Sequence, residues 1–125
     1  MEYLIDLSKK TSAYREALLR YLTGGKYQKI GCYMEYRHPT KLRSESLDDF
    51  IQRYHQTDDR NWCARATDIT VVGDELVITV TPFGVWKDSV DFDERWPSAR
   101  IIQFNGEVKE IVGFDLILKA NHNDF

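Results

Sequence analysis

The chain predicts an α+β fold: two helices packed on one face of a mostly antiparallel sheet, in the order β-α-β-α-β-β-β-β, as a two-layer sandwich. Three observations carry that expectation. Apolar residues recur at helical spacing in two stretches before Trp62 and alternate with polar ones after it. Two dipeptides, Gly73-Asp74 and Asn105-Gly106, stand between alternating runs where a tight hairpin turn belongs. At 125 residues the chain fits one domain over its whole length and is long enough to bury a core without staples.

Each element follows from local pattern. Tyr3, Ile5 and Leu7 form the apolar face of a short first strand. From Ser12 the period changes: Tyr14, Ala17, Leu18, Tyr21 and Leu22 share one helical face, Thr11 or Ser12 caps the start, and Gly24-Gly25 is expected to supply a left-handed exit. Ile30, Cys32, Met34 and Tyr36 then alternate until Pro39 ends the run. Over 46–56, Ser46 and Asp49 resemble a capping box, and Leu47, Phe50, Ile51 and Tyr54 make one apolar stripe. The late strands are expected over 66–81 and 99–118. Leu18, Leu22, Phe50, Ile51, Ile78, Phe104 and Leu116 are the predicted core. In the second hairpin, pairing Phe104 with Glu107 and Ile102 with Lys109 sets apolar against charged residues, a conflict that a bulge near Ile111-Val112 or a partly covered face would remove.

Composition narrows the function classes. A net charge of −3 argues against general nucleic-acid or membrane binding, which relies on neutralising phosphate with Lys and Arg. Charge is uneven, with Lys26, Lys29, Arg37, Lys41 and Arg43 followed by Glu45, Asp48, Asp49, Asp58 and Asp59. The first residues lack the pattern of a signal peptide, and Cys32 and Cys63 are too few and too far apart for a disulfide framework or a zinc site. A cytoplasmic protein with free, core-packed thiols is expected.

The stretch Trp86-Lys-Asp-Ser-Val-Asp-Phe-Asp-Glu-Arg-Trp96 sets three aromatics, Trp86, Phe92 and Trp96, among the acids Asp88, Asp91, Asp93 and Glu94. A connection of this length in a compact domain is usually either functional or disordered. Its acids depart from the calcium-loop spacing, so no metal is predicted, and no cofactor motif is present in the sequence. For acid–base chemistry the candidates are His38 and His55, but neither belongs to a motif, and no catalytic residue is predicted.

The segments Asp68-Ile-Thr-Val-Val-Gly-Asp-Glu-Leu-Val-Ile and Ile102-Gln-Phe-Asn-Gly-Glu-Val are similar to hairpins of nuclear-transport-factor-2-like domains. That resemblance implies a curved sheet around a conical pocket, with Tyr14, Tyr36, His38 and Trp62 as pocket residues. This chain differs in carrying a strand before its first helix.

From the residues themselves we expect a non-enzymatic inhibitor that occludes a basic protein partner. Its most concrete form is an immunity protein neutralising a nuclease-like toxin. Trp86, Phe92 and Trp96 would anchor the contact, and Asp88, Asp91, Asp93, Glu94, Asp48 and Asp49 would supply complementary charge. The alternative is a ligand-binding domain or a small isomerase or hydrolase with a pocket between sheet and helices.

Overall fold

The computed structural model describes residues 1–24 and 32–121. Its elements are β1 (Glu2–Asp6), α1 (Ser12–Thr23), β2 (Cys32–Glu35), α2 (Leu47–Tyr54), β3 (Trp62–Val72), β4 (Glu75–Pro82), β5 (Arg95–Phe104) and β6 (Glu107–Leu118). The class is α+β and every strand pairing among the described residues is antiparallel. One sheet has the order β1-β4-β3-β2 and the other is the β5-β6 pair. Gly25, Lys26, Lys29 and Ile30 lie outside the described residues.

Both hairpins form where the turn chemistry places them. Val72 faces Glu75 across Gly73, whose φ is +62°. Asn105 and Gly106 have φ of 52° and 77°, the two positive values that a type I′ turn requires. The expected conflict in the second hairpin persists next to the turn and is relieved only beyond it, by two register shifts. Phe104 faces Glu107 as expected, but a shift between Ile102 and Gln103 moves Ile102 opposite Glu110 rather than Lys109. A second, between Arg100 and Ile101, leaves Val112 without a facing residue and restores apolar pairing of Ile101 with Ile111.

The core is the inward face of the four-stranded sheet, including Tyr3, Ile5, Met34, Ile69, Leu76, Ile78 and Val80, closed by Leu18 of α1 and by Phe114 and Leu116 of β6. Of the predicted core, Leu18, Ile78 and Leu116 are buried. Leu22, Phe50 and Ile51 are half-buried. Phe104 is 65% exposed, because it precedes the turn at the far end of β5 where nothing packs over it.

The two helices are held differently. Thr11 Oγ1 accepts from Tyr14 N at 3.1 Å to cap α1, which meets β6 through Tyr21 on Phe114 and through Arg20 Nη2 donating to Lys109 O at 2.7 Å. Gly24, expected to turn left-handed, has φ −68° and continues the right-handed path. Ser46 Oγ accepts from Asp49 N at 3.1 Å, so the predicted cap of α2 forms. Yet α2 buries no side chain completely. What ties down its carboxyl end is a cation: Arg100 Nη1 donates to Tyr54 O at 3.1 Å and to Gln56 O at 2.8 Å, satisfying carbonyls that a helix end leaves unpaired. Among the described residues no helix is long and apolar enough to cross a membrane.

Candidate active site

A polar cluster lies where β2, β5 and β6 meet. Antiparallel register sets Ser98 of β5 directly opposite Asp115 of β6, so their side chains share a face. Strand alternation puts Arg100 on that face as well. Glu35 ends β2 at a register shift and is buried. The chain leaving β2 then carries His38 over the Ser98–Asp115 pair.

His38 Nδ1 lies 2.7 Å from Asp115 Oδ2, and His38 Nε2 lies 3.0 Å from Ser98 Oγ. An ionised carboxylate only accepts, which fixes the proton of a neutral imidazole on Nδ1. Nε2 is then an acceptor, and the Ser98 hydroxyl donates to it. A hydroxyl, an imidazole and a carboxylate thus stand in one hydrogen-bonded line, the arrangement that activates a serine for nucleophilic attack.

Asp115 is held from four directions. Its Oδ2 accepts from Arg100 Nε at 2.6 Å as well as from His38, and its Oδ1 accepts from Arg100 Nη2 at 3.0 Å and Glu35 N at 3.1 Å. Arg100 Nη2 also donates to Glu35, whose other oxygen accepts from Asn61 Nδ2 at 3.0 Å. Burial by itself disfavours the charge on Arg100. The Asp115 and Glu35 carboxylates more than reverse this and raise its pKa above the ordinary arginine value. Two carboxylates against one guanidinium leave one buried negative charge, the counter-charge that an imidazolium at His38 needs.

His38 is about a third exposed, while Ser98 is 5% exposed. Both line a cavity of about 240 Å³. A larger cleft of about 870 Å³ runs past Arg37, Arg53, Arg60 and Trp62 and touches the cluster only at Glu35. It holds neither Ser98 nor His38, so the smaller cavity is the one joined to the chemistry.

The cysteines take no part. Burial raises the pKa of Cys32 and pushes Cys63 up to about 12, so neither is a thiolate near neutrality. Among the described residues, no group of three or more His, Cys, Asp or Glu is placed to hold a metal ion.

The predicted contact residues are not arranged as an outward aromatic patch. Trp96 belongs to β5 rather than to a loop, and packs edge-on against Tyr3 at 5.9 Å. Phe92 is half-buried against the core in a short 3₁₀ turn, where its carbonyl accepts from Tyr3 Oη at 3.0 Å. Trp86 is 36% exposed, lies against Tyr36 at 4.5 Å and donates through Nε1 to Arg60 O at 2.9 Å. Large aromatics find more contact area on the sheet than in water, which is why Phe92 and Trp96 turn inward, whereas Trp86 remains exposed. Asp88, Asp91, Asp93 and Glu94 are exposed, and Asp91 Oδ1 accepts from Asp93 N at 3.0 Å as a turn cap. Asp48 and Asp49 are exposed in the first turn of α2.

The pocket residues implied by the nuclear-transport-factor-2-like resemblance do not converge. Tyr14 is buried on the inward side of α1, Tyr36 lies on Trp86, and Trp62 stacks on Tyr33 at 4.1 Å. Of the four, His38 alone lines the cavity beside Ser98.

Sequence reasoning named His38 and then set it aside, and missed Ser98, Asp115 and Arg100. The available signal was the run Pro97-Ser-Ala-Arg-Ile-Ile102, where a charge interrupts a strand too apolar to face water. Asp115 stands between Phe114 and Leu116, where strand alternation sets it on the face opposite theirs.

A family profile described as the Peptidase S80 family matches residues 24–91, more than half of the chain. No curated protein and no solved structure matches it. The family match overturns two expectations: the toxin-neutralising immunity protein and the absence of enzymatic activity. Those readings rested on charge and aromatic content, which many folds share. His38 and Glu35 lie inside the matched segment, whereas Ser98, Arg100 and Asp115 follow it.

Proposed function

Since the chain belongs to the Peptidase S80 family, we propose that it hydrolyses peptide bonds with Ser98 as nucleophile, His38 as general base and acid, and Asp115 as the residue that orients His38. The observation that carries this is the single line of contacts from Ser98 Oγ through the His38 ring to Asp115 Oδ2, at 3.0 and 2.7 Å.

In the first half-reaction the Ser98 oxygen attacks the scissile carbonyl carbon while its proton passes to His38 Nε2. The C–N bond then breaks, the amine leaves with that proton, and an acyl group remains on Ser98. A water molecule, deprotonated by His38, attacks the acyl carbon and releases the acid with Ser98 restored. Asp115 keeps its charge throughout and stabilises the imidazolium formed in each half. Arg100 is a positioning residue: its two contacts hold the Asp115 carboxylate in one rotation, so that Oδ2 faces His38. Along the edge away from β6, β5 pairs with no other strand among the described residues. Its outward amides near Ser98 are the candidates to donate to the developing oxyanion.

The experiment is release of peptides from an unfolded protein substrate by the purified chain, compared with Ser98→Ala. The proposal expects hydrolysis that Ser98→Ala abolishes with the fold intact. Equal turnover by the two proteins would sink it.

A further inference from the structure

Glu35 is buried behind the relay and joined to it through Arg100 and through its own backbone. Its Oε2 accepts from Arg100 Nη2 and from Asp58 N at 3.3 Å, its Oε1 accepts from Asn61 Nδ2 at 3.0 Å, and its N–H donates to Asp115 Oδ1 at 3.1 Å. Only donors meet its side chain, the set that an ionised carboxylate satisfies. Arg100 Nε and His38 Nδ1 approach the same oxygen, Asp115 Oδ2, at 2.6 and 2.7 Å. A guanidinium that close, in a buried place, would on its own cancel the Asp115 charge, and a neutral pair offers an imidazolium little. Yet Arg100 Nη2 is shared between Asp115 and Glu35.

Resting on the peptidase reading, we propose that Glu35 is a positioning residue for catalysis: by sharing Arg100 it keeps the cluster one negative charge in excess, so that Asp115 acts on His38 as an anion. The role is electrostatic and sets activity against stability. Glu35→Gln keeps an oxygen for Arg100 Nη2, and a rotated Asn61 amide accepts from the new NH₂, so a neutral Arg100–Asp115 pair is left that is no harder to bury. The other ionisable groups near the cluster are Arg53, Tyr54 and His55 of α2, Asp58, Cys63 of β3 and Arg95 of β5. Burial raises the pKa of Tyr54 and pushes Cys63 up to about 12, bonding to Arg60 lowers that of Asp58, and the arginines stay charged. Of these, His55 alone is of a type that titrates near neutrality, and its ring meets Ile51 O at 2.8 Å and Glu110 at 3.4 Å instead.

The test measures kcat/KM on a peptide substrate across the neutral pH range, with urea unfolding alongside, for the natural chain, Glu35→Gln, Glu35→Asp and His55→Gln. Losing the excess charge makes the imidazolium less favourable, so the acid limb of Glu35→Gln should move to lower pH by about one unit, a tenfold change in proton affinity, and the plateau should fall by about tenfold. Its unfolding midpoint should equal or exceed that of the natural chain. Glu35→Asp keeps the charge and should leave the limb near its natural position, as should His55→Gln. An acid limb that Glu35→Gln leaves in place, a limb that moves with His55→Gln instead, or loss of folding in Glu35→Gln would overturn the role of Glu35 while hydrolysis by the natural chain stands. Absence of hydrolysis by the natural chain would overturn the peptidase reading itself. The charge claim is then still decided by following the His38 ring proton resonance against pH: a lower midpoint in Glu35→Gln supports it, and equal midpoints overturn it.

Discussion

The β3–β4 and β5–β6 hairpins share an antiparallel ladder and a two-residue turn, yet are stabilised by opposite means. In β3–β4, Ile69, Leu76, Ile78 and Val80 point inward at alternate positions, and every second residue of β4 is buried carbon. In β5–β6, residues 97–100 and 114–117 are buried on both faces, and the second face is polar: Ser98, Arg100 and Asp115. The first is stabilised by area removed from water, in proportion and without regard to geometry. The second depends on each donor meeting its acceptor, because a buried charge left alone costs far more than a missing methyl group. Rules of alternation therefore build the first, whereas chemistry becomes possible in the second.

The largest effect that would break this contrast is catalytic. Ser98→Ala and His38→Ala should each reduce kcat on a peptide substrate by on the order of 10⁴ to 10⁶, and the double variant should be no worse than either, since the two act as a unit. Additive losses, read from steady-state rates, would separate the two residues and remove the relay.

Stability comes next. Arg100→Met leaves the buried Glu35 and Asp115 carboxylates without their cation and should cost about 3–5 kcal/mol in urea unfolding. Adding Glu35→Met and Asp115→Leu should recover most of that loss while leaving no activity. In the β3–β4 hairpin, Ile78→Val should cost about 0.5–1.5 kcal/mol, with no partner substitution able to restore it. If the triple replacement were no more stable than Arg100→Met, the polar face would be acting as ordinary packing.

At the far end of the same hairpin, Phe104→Ala should change stability by no more than about 0.5 kcal/mol, the usual scale for exposed positions. The smallest effect concerns acid. The Arg53 guanidinium that binds Glu45 at 2.8 Å lowers the Glu45 pKa from 4.5 to about 2. A carboxyl with a depressed folded-state pKa stabilises above its unfolded value, and that contribution disappears as pH falls through the folded value. Unfolding curves between pH 4.5 and 2 should therefore show a small loss of stability that Glu45→Gln lacks.

Much of the fold was legible in the sequence. The change of period after Trp62, the Ser46 cap and the two turn dipeptides led to the right class and element order, because each is a local signal. Boundaries were less so: β5 begins at Arg95, since the acids and tryptophans before Ala99 resemble a loop until Trp96 is seen on Tyr3. The site was mostly hidden. Ser98 meets His38 from 60 residues away, and Asp115 meets it from 77, so no spacing rule brings the three together. Alternation alone cannot tell whether the polar face of β6 meets water or a buried guanidinium. The aromatic stretch divided: Phe92 and Trp96 pack onto the core while Trp86 stays exposed, a split that composition alone does not resolve.

The most direct test of the relay is the mass of the intact protein after exposure to diisopropyl fluorophosphate, a reagent that carries no side chain to select. The Ser98 oxygen displaces fluoride from phosphorus only if His38 accepts its proton. One adduct, mapped to Ser98, lost in His38→Ala and strongly slowed in Asp115→Asn, is the predicted result. An unmodified protein, or an adduct at Ser98 that forms equally fast without His38, would contradict it.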